Sequence, residues 1–364
     1  MKVAVIIDTW FPFIGGGQIN AWEISKNLSS RGVKIDIITR NNGRYKDIKV
    51  KNLRVIKLGK ETSAGNSVSK ILFTLKALLF LYKSDYDLVH AHAFLPGIIA
   101  RLVMVLKGTP AIFTVHGTSL NSNLNGKLSK IIEKFILTQI LYSAQITVSR
   151  DFLEIKNINK KIVYIPNAVD IGHFKKISSL KYIKPTIICV GRLHPQKNLE
   201  TLIKSVLKIK KEIQNINLLI VGIGIEEIKL RKIVKDLGLS KNIEFLGQVT
   251  GYNLIKLYKS STIFLQPSIY EGQSLSLLEA WASKLPVIAS KVGDNEFLIE
   301  NGKNGYLIND PYNDSEIAKL IIKTLKSNSL RSMGENGYNL LINSFSWEKT
   351  ATATLKVYEN VSKS

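Results

Sequence analysis

The stretch TIICVGRLHPQKNLETLIKSVLKIKK, residues 186–211, decides the fold class. Its first five residues, Thr186 to Val190, form a nearly continuous apolar run, which is typical of a parallel strand covered on both faces. A glycine and two cations follow, and apolar residues then recur at helical spacing from about residue 196. A strand that passes through a glycine turn into a helix is the repeating unit of a parallel α/β sheet.

The same unit recurs on both sides of this stretch. Before it, strands are predicted near 2–8, 33–39, 88–91, 111–115, 145–148 and 162–165, with helices near 18–30, 68–83, 96–107 and 127–142. After it, strands are predicted at 217–221, 243–246, 263–266 and 287–289, with helices near 225–237, 252–260 and 274–284 and a mostly helical end from 313 to 361. Residues 168–184 lack periodicity, so they are predicted to be a linker.

The alternation predicts two doubly wound, Rossmann-like domains, and a chain of 364 residues suits about two domains. We assign residues 1–170 to an N-terminal domain and 171–345 to a C-terminal domain. Ligands of open parallel sheets bind at the carboxyl ends of the strands. Two such domains facing each other would therefore place the functional site in the cleft between them.

The composition excludes several classes of protein. A hydrophobic content of 45% with 22% charged residues describes a globular chain rather than a disordered one. The single cysteine, Cys189, cannot form an internal disulfide or a four-ligand zinc site, and its apolar surroundings predict a buried thiol. No stretch approaches the ~20 apolar residues of a membrane span, and the N-terminus lacks a signal peptide. These features predict a cytoplasmic protein.

The net charge of +23 is concentrated in the N-terminal half. Its densest basic run has only Asp47 opposing it and comprises Arg40, Arg44, Lys46, Lys49, Lys51, Arg54, Lys57 and Lys60. Such a run suits nucleic acid, anionic lipid or a phosphorylated substrate, and a generally lysine-rich surface explains it equally well. Nucleic acid is not favoured as a partner, because no aromatic stacking platform or reading helix accompanies the run.

Two turns carry features of phosphate binding. Gly15, Gly16 and Gly17 follow the first strand and open a helix, where backbone N–H groups can approach an anion; a plain tight turn is equally consistent. Arg192 and Lys197 flank the turn after the strand at 186–190, and two such cations suit a diphosphate.

Acidic and histidine side chains follow other predicted strands. Glu271 and Glu279 are eight positions apart, on the order of 12 Å along a helix, which suits two contacts along one long ligand better than an acid–base pair. His90, His92 and His116 lie at the carboxyl ends of two strands, so at least one is expected to line the cleft. No spacing of ligands supports a metal site, and none is predicted.

Taken together and in this order, the motifs resemble the retaining, nucleotide-sugar-dependent glycosyltransferases of the GT-B fold that share the E-x7-E motif, glycosyltransferase family four. The resemblance covers nearly the whole chain. Its motifs are the glycine turn at 15–17, VHAH at 89–92, TVHG at 114–117, IPNAVD at 165–170, GRLHPQKN at 191–198, VGIG at 221–224, FLG at 245–247, the E-x7-E stretch at 271–282, LPVIAS at 285–290 and NGKNG at 301–305.

The resemblance implies a role for each matching residue. Arg192 and Lys197 would bind the donor diphosphate, Glu279 the ribose hydroxyls and Glu271 the transferred sugar. Further members of the implied donor site are Gly16, Gly17, Asn167, Gly191, Gly222, Leu246, whose backbone would read the base, Gln273, Ser274 and Leu275, with His116 beside the sugar. The family needs no catalytic metal or cofactor, since the nucleotide-diphosphate sugar is a co-substrate.

Two positions depart from the family pattern. Gln273 stands where the family often has an apolar residue, which concerns the choice of donor sugar. In the stretch Gly293-Asp294-Asn295-Glu296, the glutamate comes one position earlier than usual. Whether Glu296 faces the site is therefore left open by the sequence.

The implied function is transfer of a hexose-type sugar to an acceptor hydroxyl with retention, in cell-surface glycan or glycolipid synthesis. The alternatives are a nucleotide-sugar epimerase on the same scaffold and a non-catalytic nucleotide-sugar-binding protein. The resemblance places the acceptor, a glycan or a lipid-linked sugar, on the N-terminal domain and predicts that a terminal helix, 346–364, packs back on it. The basic run at 40–60 then predicts an anionic membrane surface, with the protein peripheral on its inner face.

Overall fold

The computed structural model describes residues 1–363 except 13–14, 44–48, 64–65, 119, 121–125 and 156–160. The chain divides into two compact units. The first contains the described residues up to Asn167 together with the last helix, and the second is Ala168–Ser346. The division thus falls at 167–168, close to the predicted boundary at 170–171.

In the first unit, the described residues form a seven-stranded parallel sheet. Its strands are β1 (Lys2–Ile7), β2 (Lys34–Arg40), β3 (Leu53–Leu58), β4 (Leu88–His92), β5 (Ala111–Val115), β6 (Ala144–Thr147) and β7 (Ile162–Tyr164), in the order β3-β2-β1-β4-β5-β6-β7. Its helices are α1 (Gly16–Ser30), α2 (Ser67–Tyr82), α3 (Phe94–Lys107) and α4 (Lys127–Gln139). Since helices cover both faces, the central strand β5 is fully buried.

In the second unit, the described residues form a six-stranded parallel sheet. Its strands are β8 (Thr186–Val190), β9 (Asn217–Val221), β10 (Ile243–Gly247), β11 (Ile263–Gln266), β12 (Val287–Ser290) and β13 (Gly305–Ile308), in the order β10-β9-β8-β11-β12-β13. Its helices are α5 (Ile171–Lys175), α6 (Leu199–Ile209), α7 (Glu227–Asp236), α8 (Gly251–Ser260), α9 (Leu275–Ala282), α10 (Asn295–Leu298), α11 (Asp314–Leu325) and α12 (Leu330–Ser344). The prediction of two Rossmann-like α/β domains is confirmed.

The last helix, α13 (Trp347–Ser362), packs in the first unit against α1. Arg31 Nη1, just beyond α1, donates a hydrogen bond to Thr352 Oγ1 at 2.7 Å, and Thr350 Oγ1 donates to the carbonyl oxygen of Pro166 at 2.9 Å. The fully buried Tyr358 hydroxyl lies 2.7 Å from His90 Nδ1 on β4. The end of the chain is thereby anchored to the core of the first unit.

Two strands escape the sequence analysis, and both lie at sheet edges. β3 is one edge of the first sheet and β13 is one edge of the second. An edge strand is not covered like a central one, so β3 carries Arg54 and Lys57 and lacks the continuous apolar run of a central strand. The predicted linker at 168–184 also contains the short helix α5. The Asp170 side chain caps this helix by accepting a hydrogen bond from Gly172 N at 2.9 Å.

The basic run at 40–60 has a different role from the one predicted, at least at its first residue. Arg40 is 1% exposed, forms an ion pair with Asp8 at 3.3 Å and donates to the Asn66 carbonyl oxygen at 3.2 Å. Arg54 pairs with Asp36 at 2.7 Å. The prediction of a ligand-facing run is therefore wrong for Arg40, which is a core cation; Arg44, Lys46 and Asp47 lie outside the described residues.

Two further predictions concern apolar segments. Cys189 is a buried free thiol, as predicted, and burial raises its pKa to about 12. Among the described residues, no helix combines the length and apolar character needed to cross a membrane.

Candidate functional site

The second unit has its topological switch point between β8 and β11. From β8 the chain continues to β9 on one side, and β11 continues to β12 on the other, so the connections diverge at the carboxyl ends of β8 and β11. Parallel α/β sheets bind ligands in the crevice at such a point. A pocket lies there, and its lining includes Gly191, Arg192, Lys197, Pro267 and Ser268.

A nearly buried ion pair stands beside this pocket. Lys197 Nζ contacts Glu271 Oε1, and the two side chains are 15% and 10% exposed. Gln266 Nε2 lies 3.3 Å from the same carboxylate oxygen and donates to Ser274 Oγ at 2.7 Å. Arg192 is exposed on the same turn. The structure therefore brings together Lys197, Glu271 and Ser274. Lys197 and Ser274 are 77 positions apart in sequence, but the strands β8 and β11 that precede their turns are neighbours in the sheet.

Close contact between backbones shapes the cation-bearing turn. Gly222, at φ +137°, lies so near this turn that a Cβ atom there would be 1.9 Å from the Gly191 carbonyl oxygen. A Cβ on Gly191 would be 3.1 Å from Lys197 Cε. The absence of a Cβ atom at both glycines thus lets the two backbones and the Lys197 side chain pack closely. This steric role is not visible in the sequence motifs.

The residues after Glu271 rest on a second buried polar contact. Gln273 Nε2 donates to Asp294 Oδ2 at 2.7 Å, and Asp294 N donates to the Gly272 carbonyl oxygen at 3.0 Å. Asp294 is fully buried, whereas the exposed Glu296 pairs with Lys291 at 3.0 Å. The shifted acidic position therefore leaves Glu296 on the surface, and Asp294 is a site residue that the sequence analysis missed.

The N-terminus of α9 follows directly. Ser274 is its N-cap, and Ser274 Oγ accepts from Leu277 N at 3.3 Å. Leu275 begins the helix, where backbone N–H groups lack intrahelical partners and favour an anionic or hydroxyl-bearing ligand. Leu246 lies in β10, and the Gly222 N–H donates to the Gly247 carbonyl oxygen at 2.8 Å, so the ends of β9 and β10 meet.

Glu279 lies within α9, eight positions after Glu271, among apolar neighbours on the helix. The Tyr258 hydroxyl donates to Glu279 Oε2 at 3.0 Å. Burial raises the pKa of Glu279 to about 7, and the hydrogen bond from Tyr258 opposes this rise. Tyr258 is fully buried on α8 and escaped the sequence analysis, because a tyrosine on an apolar helix face is usually a core residue.

The raised pKa of Glu279 predicts a stability cost that depends on pH. Between its ordinary value of 4.5 and about 7, the folded state holds a proton that the unfolded state has released, so the free energy of unfolding falls as pH rises through this window. Glu279→Gln removes this term. We expect the variant to melt at the same temperature as the parent at pH 5 and several degrees higher at pH 8.

Thermal melts of both proteins at the two pH values measure this effect. Glu335→Gln is the matched control, because Glu335 is a surface partner of Lys284 at 2.9 Å and should give the same small change at both pH values. Equal melting temperatures of parent and Glu279→Gln at pH 8 would contradict the raised pKa.

The remaining predicted site residues lie in the first unit. α1 begins at Gly16, and a Cβ atom on Gly17 would be 3.4 Å from His116 Cδ2. The lack of a side chain at Gly17 therefore lets the His116 imidazole pack against the first turn of α1. Asn167 is 2% exposed and accepts a hydrogen bond from Asn20 Nδ2 at 2.8 Å. The structure thus groups Gly16, Gly17 and His116, and places Asn167 against α1.

Three histidines form a chain of contacts behind this turn. His116 Nε2 lies 3.0 Å from His92 Nδ1, and the rings of His92 and His90 are 4.4 Å apart. Burial lowers the pKa of His90 to about 3 and that of His116 to about 4, and it lowers the pKa of His92 well below its usual range. All three are therefore neutral near pH 7, and His116 can act there only as a neutral donor or acceptor.

In the part of the chain that the structure describes, no group of three or more histidine, cysteine, aspartate and glutamate side chains is arranged so that it could hold a metal ion. The cations and carboxylates above are instead suited to an anion and to hydroxyl groups. A phosphate can lie against Arg192 and Lys197, and Glu279 can accept hydrogen bonds from hydroxyls.

Comparisons with known proteins agree with this chemistry. The profile "Glycosyltransferase Family 4" matches residues 14–173, and "Glycosyl transferases group 1" matches 171–340. An uncharacterized glycosyltransferase of Methanocaldococcus jannaschii, MJ1069, is 29% identical over 99% of both chains. The UDP-Gal:alpha-D-GlcNAc-diphosphoundecaprenol alpha-1,3-galactosyltransferase of Escherichia coli is 28% identical over 98% of this chain and 97% of its own.

The fold also matches solved structures. A sucrose-phosphate synthase from Thermosynechococcus elongatus superposes with a TM-score of 0.85 and 22% identity, over 99% of this chain and 98% of its own. At this identity the likeness concerns the fold alone.

Proposed function

The chain belongs to the glycosyltransferases of family 4, with the GT-B fold, and on that premise we propose that it transfers a hexose-type sugar from a nucleotide diphosphate to an acceptor hydroxyl with retention. The observation that carries the proposal is the arrangement at the switch point of the second unit. There, Arg192 and Lys197 lie at one pocket and Glu271 is paired with Lys197. A pyrophosphate leaving group needs such cations, and a sugar needs such a carboxylate.

Donor binding extends along the carboxyl ends of the strands. The diphosphate lies on Arg192 and Lys197, and the Glu279 carboxylate accepts hydrogen bonds from the ribose hydroxyls. The base lies against the backbone near Leu246. The transferred sugar contacts Glu271 and the N-terminus of α9, with Gln273 held beside it by Asp294. His116 belongs to the first unit and is neutral at pH 7, and its contact with the sugar stays a prediction of the family resemblance.

The chemical step exchanges one bond at the anomeric carbon. The bond from this carbon to the diphosphate oxygen breaks, and a bond to the acceptor oxygen forms on the same face. The acceptor proton passes to the departing diphosphate, so no protein base is consumed. Arg192 and Lys197 stabilise the negative charge that develops on the leaving group, which lowers the barrier to its departure.

We propose that these two cations replace a metal ion in stabilising the leaving group, so that transfer needs neither metal nor cofactor. Their position at one turn of the second unit supports this proposal. Transfer assayed with EDTA and with added Mg²⁺ should run at equal rates. A rate that depends on Mg²⁺ would contradict it.

The acceptor we propose is a lipid-linked sugar or a growing glycan, in the synthesis of a cell-surface polysaccharide or glycolipid by a protein peripheral to a membrane. The E. coli relative supports this class of substrate, because its name gives UDP-galactose as the donor and a diphosphoundecaprenol-linked sugar as the acceptor. It also makes uridine diphosphate hexoses the first donors to test.

A donor and acceptor panel tests the function. Purified protein is incubated with UDP-glucose, UDP-galactose, UDP-N-acetylglucosamine and the corresponding guanosine and thymidine diphosphate sugars, with and without a synthetic sugar-diphosphate lipid. We expect nucleotide diphosphate release with one donor, stimulated by acceptor, and an α-linked product from an α-linked donor by NMR. An inverted linkage would contradict retention.

The same panel separates the alternatives. A nucleotide-sugar epimerase would convert the donor sugar without an acceptor. A non-catalytic binding protein would show a thermal shift with donor but no turnover under any condition. Either result would overturn the proposed transfer while leaving the donor site in place.

A further inference from the structure

Helix α2 is apolar on the side that faces solvent as well as on the side that faces the sheet. Phe73, Ala77 and Leu81 are buried at helical spacing, each at most 1% exposed. The opposite side is exposed by about half or more, and its large apolar side chains are Val68, Ile71, Leu72, Leu75, Leu79 and Tyr82. A surface helix normally turns a polar side to water, so this outward side needs an apolar partner.

Helices α3 and α4 carry further exposed apolar side chains on the same face of the sheet. The core cluster that contains Phe73 also contains Val103 of α3 and Leu137 of α4, so all three helices pack on one face of the first sheet. Their outward apolar side chains are Leu102, Val105 and Leu106 on α3, and Ile131, Ile132 and Phe135 on α4. We call the exposed apolar side chains of α2, α3 and α4 the outer apolar surface.

The charges on these helices have one sign. The sequences of α2 and α3 contain no acidic residue. The acidic residue of α4, Glu133, is buried and accepts a hydrogen bond from Thr118 Oγ1 at 2.6 Å. The basic residues of the three helices are Lys70, Lys76, Arg101, Lys107, Lys127, Lys130 and Lys134. Lys107 is paired at 3.0 Å with the exposed Asp85, which follows α2, and no exposed carboxylate on these three helices offsets the other cations.

We propose that the outer apolar surface docks on an anionic lipid bilayer, with its apolar side chains among the acyl chains and its lysines at the headgroup phosphates. A surface that is apolar and uniformly basic matches the interface of an anionic leaflet. A second copy of this chain is a poorer partner, because a two-fold interface would bring the same lysines of both copies together.

The location differs from the one that the sequence suggested. The basic run at 40–60 begins with the buried Arg40 and includes Arg54, which is paired with Asp36. The docking surface lies instead on α2, α3 and α4. These helices lie on the bilayer without crossing it. The proposal rests on the proposed function in so far as a lipid-linked acceptor gives the docking a purpose.

Vesicle flotation tests the docking without donor or acceptor, so its outcome is independent of sugar transfer. The full chain is mixed with vesicles of phosphatidylcholine alone or with 30% phosphatidylglycerol. We expect flotation with the anionic vesicles. Leu75→Ser with Leu79→Ser should lower the ratio of bound to free protein at least tenfold. Lys76→Gln with Lys134→Gln should lower it about fivefold for each lysine.

The matched control is Leu180→Ser with Ile183→Ser, since both residues are fully exposed apolar side chains of the second unit. This control should float like the parent protein. Thermal melts of all variants should change little, because the substituted apolar side chains are at least about half exposed.

Three results would overturn the proposal. The first is a parent protein that does not float, and the second is a Leu75/Leu79 variant that floats as the parent does. The third is a stable dimer in sedimentation that the same variant dissociates, which would assign the surface to self-association. Equal flotation on neutral and anionic vesicles would overturn the role of the lysines.

Discussion

Replacing Lys197 with alanine is expected to lower kcat for sugar transfer by about 10³-fold. In the proposed mechanism, the substitution removes a cation from the leaving diphosphate, and it also leaves the nearly buried Glu271 carboxylate without its ion-pair partner. The uncompensated carboxylate would then repel the diphosphate as it departs. Both effects act on the transition state, so kcat should fall more than donor affinity.

The matched control is Lys204→Ala. Lys204 is on α6, a short distance along the chain, and forms an exposed pair with Glu200 at 2.7 Å. Its removal should change kcat less than twofold, because an exposed pair of this kind contributes little. Steady-state assays with the donor identified by the panel measure both variants. Transfer by Lys197→Ala within tenfold of the parent rate would remove Lys197 from the proposed mechanism.

Replacing Gly222 with alanine is expected to destabilise the second unit by at least about 3 kcal/mol and to abolish detectable donor binding. The residue has φ +137°, and the added Cβ would be 1.9 Å from the Gly191 carbonyl oxygen. The overlap is with backbone, which cannot rotate away as a side chain would. Relief therefore requires the turn that carries Arg192 and Lys197 to move.

Gly238→Ala isolates the effect of backbone conformation. Gly238 has φ +65°, and no atom lies within 4 Å of its Cβ position. Its substitution should cost only about 1 kcal/mol, the usual penalty for a left-handed residue. Urea unfolding of both variants, with nucleotide diphosphate binding by calorimetry, makes the comparison. Equal destabilisation by the two substitutions would mean that the turn yields without cost.

Much of the fold follows from local sequence patterns. The central strands are short apolar runs because helices cover both faces, and β5 coincides with its predicted bounds. The edge strand β3 was missed because it carries Arg54 and Lys57, which an edge strand tolerates. The edge strand β13, Gly305–Ile308, carries no charge and was missed as well. The short helix α5 was missed because a single capped turn has no periodicity to detect.

The site is predictable in part. Glu271, Glu279, Arg192 and Lys197 stand at the ends of predicted strands or within a recognisable motif. Their partners carry no comparable signal in the sequence. Tyr258 reads as a core aromatic residue, yet its hydroxyl meets Glu279, and Asp294 stands where the glutamate of the motif is displaced.

The α/β class, the two Rossmann-like domains, the family and the residue types of the proposed donor site follow from the sequence alone. Tertiary structure alone decided which charges are available to a ligand. Arg40 belongs to the densest basic run but is buried and paired with Asp8, whereas the exposed Lys76 and Lys134 lie on helices that also carry exposed apolar side chains. The physical reason is that pairing and burial depend on residues distant in sequence. A local pattern gives the number of charges, but only the folded chain decides which of them are paired, buried or exposed.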